Sequence, residues 1–537
     1  MLVSHTYTHP HTHQHIISME TAASTADSFV YDSSMEHSGE SEQTPFLKRE
    51  LLYVQDQNGN SDYSRNQIVF ESQAMANNGL WSSWSESFVT IPTIVEMYRD
   101  AHHETANIPH AIKWKSGCIL IDSIIVEINN SVVVQERRDV SAYCSYKQHT
   151  QWSLDDVNTK GDTWQYKKPS REWAFEAGRG LISADVGDDT ITDEYDFKSG
   201  ADAGVVSAKN LEESGADYYE QKGNSHLYYK DVRLRLKDII LFESMPMLRG
   251  ASVKITLSLN QGSVTTTYAD SAGGAAPGLA TAGTSVLRGS AFPIIRCLPT
   301  TTAAAYVETI NVAVGQLTDA AGTVRKGQKQ QARLYVPTYT MVDRHELAYL
   351  QKQTQKVLYR DVYIKTIRDN AAGQSFQHTI TNSMSRMKRL IVVPMLSKSA
   401  SGACGRRPSD SPFCSEPSTC SPHFLSDIQV SLSGSNVYQS SIVFKYENFL
   451  QEMAGRYGVN GSMTDGVTSS LISMKDFDSG VFGYISVDLS RRLQYDDMTA
   501  LSLEFKGKVN SPLPLDFLVY VEHEKDFTMD LATGAML

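Results

Sequence analysis

The chain has 537 residues, of which 41% are apolar, and a formal net charge of -12. This length allows two or more domains, each with a hydrophobic core of its own. The acidic balance argues against a protein that wraps nucleic acid, because phosphate contacts need clustered lysine and arginine. The 6 cysteines are too few and too scattered for a disulfide framework.

Residues 1–44 have the composition of a flexible arm. They contain no lysine or arginine, and they are rich in His, Thr, Ser and Glu. No apolar core of a secretory signal is visible at the N-terminus. The longest apolar stretch runs from Cys118 to Ile128, is broken by Asp122 and Glu127, and is too short to span a bilayer. We therefore expect a soluble, non-secreted protein.

From residue 45 onward, apolar and polar residues alternate with a period of two, which is typical of strands with one buried face. The clearest alternations and β-branched runs are Ile119–Ile128, Val253–Leu259, Ile310–Val314, Val357–Ile367, Leu390–Leu396, Ile428–Leu432, Ile485–Leu489, Leu501–Phe505 and Phe517–Glu522. Helical patterns are limited to Leu236–Met245 and Tyr446–Met453. The sequence thus predicts a mostly β protein.

Two stretches rich in small and turn-forming residues separate these runs. We interpret Gln261–Phe292 and Ser397–Pro422 as long exposed loops or loop insertions. The strand patterns fall into two sets, each with one short helical segment. The predicted organisation is an arm over 1–44, a first β domain over 45–343 with insertions, and a second over 344–537.

The motifs that could carry chemistry are weak. His345-Glu346 begins like a zinc-protease helix, but Tyr349 occupies the position of the second histidine. The carboxylate pairs Asp155-Asp156 and Asp188-Asp189 are each local and do not define a site. Two further sets could bind a metal by residue type, namely His5, His9, His11, His13 and His15, and Cys404, Cys414, Cys420 and His423. We favour a surface role for all of these groups and predict no catalytic, cofactor or metal site.

Three tryptophans, Trp152, Trp164 and Trp173, lie close together in a polar insertion. They could form a sugar-contact loop or a folded excursion above the first β domain. We favour the excursion, and the sugar-binding alternative remains open at this point.

Five segments, in order along the chain, resemble the major capsid proteins of polinton-like viruses, adintoviruses and virophages. The first runs from Leu52 to Pro92 and includes Asn66-Gln67-Ile68, Trp84-Ser85-Glu86 and a strand expected to end at Ile91-Pro92. The others are Arg233–Gln261 with its Met245-Pro246 turn, Ala332–Ser397, Tyr446–Phe477 and Asp516–Leu537.

This resemblance implies two tandem eight-stranded jelly rolls, with short helices and long loop insertions. It implies a homotrimeric, pseudo-hexameric capsomer that tiles the icosahedral shell of a double-stranded DNA virus. The expected location is the virion, after assembly inside the host cell. The expected partners are further copies of the chain, together with penton and minor capsid proteins, without sequence-specific binding of nucleic acid and without cofactors. The competing hypothesis is a carbohydrate-binding or carbohydrate-active β-sandwich, which would place two separated carboxylates in a groove lined by aromatic residues.

Overall fold

The computed structural model describes most of the chain from residue 45 onward. The described residues are 45–57, 63, 65–73, 79–99, 111–114, 120–137, 140–161, 163–164, 217–222, 225–239, 241–269, 278–282, 294–297, 306–318, 324–327, 331–351, 354–396, 425–454, 471–474, 477, 484–490, 499–511, 514–530 and 535. The predicted arm over 1–44 and the predicted loop over 398–422 lie outside these residues.

The described part of the chain is built mainly from antiparallel strands. In the first half they are β1 (Phe46–Gln55), β2 (Gln67–Glu71), β3 (Trp81–Ser82), β4 (Phe88–Arg99), β5 (Ala111–Trp114), β6 (Ile121–Ile128), β7 (Ser131–Arg137), β8 (Tyr218–Lys222), β9 (Ser225–Arg235), β10 (Leu248–Arg249), β11 (Val253–Leu259), β12 (Gly262–Ala269), β13 (Gly278–Ala282), β14 (Ile294–Cys297), β15 (Tyr306–Val314), β16 (Gln316–Thr318), β17 (Val324–Gly327) and β18 (Arg333–Met341).

The strands of the second half are β19 (Thr354–Asn370), β20 (Ser375–Met384), β21 (Met387–Leu396), β22 (Leu425–Leu432), β23 (Ser435–Asn436), β24 (Ile485–Asp488), β25 (Leu501–Val509) and β26 (Leu515–Asp530). The α-helices are α1 (Val140–Gln151), α2 (Leu154–Lys160), α3 (Asp343–Leu350) and α4 (Tyr446–Ala454). Two short 3-10 turns cover Leu236–Asp238 and Phe242–Ser244.

The eight strands β19 to β26 form a complete jelly roll. One sheet has the order β19-β26-β21-β24 and the facing sheet has the order β20-β25-β22-β23. If the strands are numbered one to eight along the chain from β19, the first sheet contains strands one, eight, three and six in that order. The facing sheet contains strands two, seven, four and five. That arrangement of two interlocked Greek keys defines the jelly roll.

The first half repeats this order with insertions. β1, β18, β4 and β9 are neighbours in one sheet, and β2-β11-β6-β7 form the facing sheet. These are again the first, eighth, third and sixth strands against the second, seventh, fourth and fifth. The remaining strands belong to insertions, of which β12, β13 and β15 extend the first sheet beyond β4. The predicted pair of tandem jelly rolls is confirmed.

The alternating sequence pattern produces the two cores. In β11, Val253, Ile255 and Leu257 are each 0% exposed, while the intervening Lys254 is half-buried on the outer face. Each such side chain stabilises the fold by about 1.5–3 kcal/mol relative to an exposed position. The alternation therefore fixes which face of each strand points inward.

Two local predictions are wrong. For Gln261–Phe292 the described residues fit the insertion rather than the plain loop, because β12 and β13 lie within it and pair with each other. Leu236–Met245 is not an α-helix but contains the two 3-10 turns. The strand expected to end at Pro92 continues to Arg99, and Pro92 marks the point where β4 changes its partner on one edge from β18 to β15. Proline lacks an N–H, so it fits such a break in the ladder.

The predicted boundary between residues 343 and 344 stays a prediction. The intervening helix α3 contacts the first jelly roll, since Glu346 accepts a hydrogen bond from Trp81 Nε1 and pairs with Arg249. Leu350 packs beside Trp81 and Met341. These contacts favour a division after α3, just before β19.

Candidate interaction surface

Helix α1 joins the two jelly rolls. It lies in the connection between the fifth and sixth strands of the first roll, and its tyrosines contact the second roll. Tyr143 donates a hydrogen bond of 2.8 Å to Glu522 Oε1, and Tyr146 lies 2.9 Å from the hydroxyl of Ser486. The Tyr146 ring meets the edge of Tyr484 at 5.1 Å between centroids. The helix is thus anchored on the outer face of the sheet formed by β19, β26, β21 and β24.

The opposite side of α1 is fastened to the first roll. Lys147 Nζ forms a 2.8 Å ion pair with Glu243, in the second 3-10 turn. Gln148 Nε2 approaches Asp238 Oδ2 at 3.5 Å, in the first 3-10 turn. Because both rolls contact the same helix, α1 fixes their relative position.

A buried polar network lies beneath α1. Arg389 is 3% exposed and Glu522 is 1% exposed, and their charged groups are 4.0 Å apart. Arg389 Nη1 also donates to Ser486 Oγ at 2.8 Å and to the backbone carbonyl of Glu452 at 3.3 Å. Glu452 Oε2 in turn accepts from the backbone N–H of Asp488. Buried charges persist only when they are paired and hydrogen-bonded in this way.

The corresponding sheet of the first roll exposes apolar and aromatic side chains on the outer face of its edge strand β1. Tyr53 and Leu51 of β1 are 55% and 53% exposed. A row of rings crosses the sheet from Tyr53 to Tyr335 at 6.1 Å and from Tyr335 to Phe88 at 4.9 Å, where the two rings stack. Within the described residues, β1 pairs with β18 alone. Among the described residues, this face therefore combines aromatic surface with a strand edge that pairs with no second strand, and unpaired edges pair readily with other chains.

Arginines cover parts of these rings. The Arg333 guanidinium lies 5.3 Å from the ring centre of Tyr53, within cation–π range. Arg235 lies between two tryptophans, 4.7 Å from the ring of Trp152 and 5.6 Å from that of Trp164. Aromatic and arginine side chains are enriched in protein interfaces, and of the rings named here Tyr53 is the one that is more than half exposed.

Asp231, on the outer face of this sheet, is a carboxyl group whose ionised form is unfavourable. Burial raises the pKa of Asp231 above its usual value, and the nearby Asp217 carboxylate raises it further. Arg233, Arg333 and Lys230 oppose the shift without cancelling it. The charged form of Asp231 is thus disfavoured in the folded chain.

The structure gives roles to several residues that the sequence singled out. Asp156 begins α2 in a capping box with Ser153, and hydrogen bonds from Lys160 and Ser153 hold its pKa below the usual range. Asp155 lies beside it on the exposed side of the same turn. His345 and Glu346 lie in α3, where Glu346 contacts Trp81 and Arg249. Within the described residues no three metal-ligating side chains converge.

The other candidates fall outside the described residues. These are His5, His9, His11, His13, His15, Asp188-Asp189, Trp173, Cys404, Cys414, Cys420 and His423.

The tryptophan insertion offers little surface to a sugar. Trp152 is 5% exposed and packs against Leu471, Val157 and Trp164, with Arg235 over its ring. Trp164 meets Phe88 edge to face at 5.6 Å between centroids. Both rings are used in packing the insertion onto the two rolls, which disfavours the carbohydrate-binding alternative.

The sequence did not predict α1. Its buried positions are mostly polar or aromatic, including Tyr143, Tyr146, Gln148, His149 and Thr150. No single apolar stripe marks the helix, because it is enclosed on several sides and satisfied by hydrogen bonds. The density of tyrosine and histidine over Tyr143–His149 is the one signal that could have indicated a buried polar contact.

Comparison with solved structures identifies the fold. A chain in the structure of the Sputnik virophage, determined by electron cryo-microscopy, superposes with a TM-score of 0.51 at 11% identity, over 93% of this chain and 91% of that chain. This chain is a double jelly-roll protein. The match covers both rolls together, in agreement with the strand order described above.

Two further structures match at lower TM-scores. The mavirus major capsid protein gives 0.44 at 9% identity, over 100% of this chain and 96% of that one. The Faustovirus major capsid protein gives 0.42 at 9% identity, over 92% and 93%. No family model matches the sequence, and no curated protein matches it. Among the helices of the described residues, none is long and apolar enough to cross a membrane.

Proposed function

We propose that this double jelly-roll protein is a viral major capsid protein, located in the virion and without enzymatic activity. The observation that carries the proposal is the tandem repeat of one complete strand order, with helix α1 in contact with both rolls. The fold shared with a chain of the Sputnik virophage particle supports the same role.

The smallest stable unit in this proposal is a homotrimer. Three chains supply six similar rolls, which gives a pseudo-hexagonal outline suited to tiling the faces of an icosahedral shell. Closed rings of identical chains are the usual form of soluble homo-oligomers. The virus proposed is one with a double-stranded DNA genome.

Further partners follow from the same role. Flat arrays of trimers need other proteins at the fivefold vertices and between capsomers, so we propose contacts with penton and minor capsid proteins. Direct binding of the genome is not part of the proposal, since the net charge of -12 offers little attraction to phosphate.

Electron microscopy of the purified chain tests the proposal. We expect particles with a threefold axis and a six-lobed outline, and closed shells under assembly conditions. Compact single chains at micromolar concentration, in a folded sample, would contradict the proposed function.

A further inference from the structure

At one end of the second roll, polar side chains join its two sheets. His378 lies on β20 in one sheet, and its Nε2 is 2.6 Å from Oδ1 of Asn370, the last residue of β19 in the facing sheet. Asn370 is 6% exposed, and its Nδ2 donates a 2.9 Å hydrogen bond to the carbonyl of Leu515, where β26 begins. His378 is thus linked through Asn370 to both β19 and β26.

The ring of His378 packs among aromatic side chains. It stacks on Phe376 at 5.6 Å between centroids and meets the edge of Phe517 at 6.5 Å. Phe376 in turn contacts Phe505 and Phe517. The imidazole is therefore half-buried in an apolar environment, which penalises its charged form.

A lysine ammonium adds to this penalty. Burial lowers the pKa of His378 below its ordinary value, and the charge of Lys365 on β19 lowers it further. Lys365 is held beside the ring, because its Nζ donates a 2.5 Å hydrogen bond to the carbonyl of Thr379, the residue that follows His378. Proton uptake by His378 would therefore place two positive charges close together.

The other charged groups of the neighbouring strands do not offset this effect. β20 contains no charged residue besides His378. On β25, Glu504 pairs in register with Thr379 and forms a 3.0 Å ion pair with Lys506, on the face of the sheet opposite to His378. On β26, Asp516 accepts a 2.8 Å hydrogen bond from the backbone N–H of Asp369.

We propose that His378, Asn370 and Lys365 form an acid-sensitive clasp between the two sheets of the second roll. At neutral pH the uncharged imidazole donates from Nε2 to Asn370 Oδ1, because the amide group of Asn370 is used by Leu515. In acid the imidazolium is better solvated when this end of the roll opens, so the clasp releases. The clasp depends on the fold of the second roll alone and not on the proposed function.

The sign of the pH effect follows from the lowered pKa. The unfolded or locally opened chain has the ordinary histidine pKa of about 6.5 and takes up the proton before the closed chain does. The stability that the clasp contributes is therefore present above about pH 6.5. It is lost as the pH falls from there toward the pKa of the closed state.

Hydrogen–deuterium exchange of the full-length chain, followed by mass spectrometry, tests the clasp locally. Peptides covering residues 365–380 and 505–517 report its opening. Between about pH 7.5 and about pH 5.5, we expect their opening in the wild-type chain to rise roughly two- to ten-fold, after correction for the intrinsic pH dependence of exchange. His378→Gln keeps an amide donor near Asn370 but takes up no proton, so it should abolish the rise. His345→Gln, the same replacement in α3, is the matched control and should retain it.

A second variant keeps the test valid if His378→Gln does not fold. Lys365→Gln removes the neighbouring charge at a half-buried position and should reduce the rise without abolishing it, because burial is the larger cause of the lowered pKa. No rise in the wild-type chain, or an equal rise in the wild-type chain and His378→Gln, would overturn the clasp. A chain that is monomeric but shows the expected exchange would contradict the proposed function and support the clasp.

Discussion

At the scale of single residues, the aromatic face of the first roll contains one group that works against stability. Asp231 has a raised pKa because burial penalises its carboxylate. A raised carboxyl pKa means that the folded chain holds the proton more tightly than the unfolded chain. Asp231 therefore costs stability once the pH rises through its folded pKa, and this cost disappears in acid.

Replacing Asp231 by asparagine should raise the melting temperature at neutral pH. The gain should vanish below about pH 4, where an ordinary aspartate is protonated in both states. Thermal unfolding followed by circular dichroism across this pH range measures the effect. Asp427→Asn is the matched control, the same replacement at an exposed position. A lower melting temperature for the Asp231 variant at pH 7 would contradict the assigned penalty.

At the scale of elements, helix α1 is the joint between the two rolls. Its tyrosines contact the second roll and Lys147 contacts the first. Such a joint makes the two rolls unfold together, since neither can open without losing the contacts of the helix.

Truncating the joint should separate the two rolls thermally. Tyr143→Ala with Tyr146→Ala removes two buried rings, each worth about 3–5 kcal/mol by comparison with other large-to-small core changes. Calorimetry should show the single transition of the wild-type chain replaced by two. Tyr218→Ala is the matched control, because Tyr218 is 58% exposed and its loss should leave one transition. One unchanged transition in the double variant would show that the rolls are coupled elsewhere.

The strands were predictable where burial follows a period of two. β11, β22 and β25 appear where the alternation of their residues indicated them. The pairing of β12 was not predictable, because a ladder of backbone hydrogen bonds to β15 and β13 needs no apolar pattern. Helix α1 was not predicted for a related reason. Its buried polar side chains form hydrogen bonds to other parts of the chain, so the sequence shows no periodic apolar pattern.

The aromatic outer face of the first roll was also only partly predictable. The segments of family resemblance included part of β1 and all of β18, but the sequence gave no sign that Tyr53, Tyr335 and Phe88 form one row. That row depends on the register of three strands brought together from distant parts of the chain. The family resemblance supplied the architecture, and the register of the strands brings the three rings together.

At the scale of the whole molecule, the composition of the N-terminal arm predicts what it binds. Residues 1–44 carry six acidic residues and no lysine or arginine. Its histidines are mostly neutral at pH 7, given an ordinary pKa of about 6.5. Counterion release therefore gives the arm no driving force for binding DNA, and we expect contact with neighbouring capsomers or minor proteins instead.

Deleting residues 1–44 should leave trimers intact at neutral pH and weaken their assembly into shells. Trimer mass, shell yield and DNA content of the particles measure the three outcomes, with the full-length chain as control. Normal shells that selectively lose their DNA would show that the arm does bind the genome.

The central claim is that this double jelly roll acts as a trimeric building block of a shell. Native mass spectrometry of the purified, folded chain tests it most directly. We expect a dominant species at three times the 59.6 kDa mass of the chain, persisting on dilution through the micromolar range. A dominant species at the mass of one chain under the same conditions would contradict it.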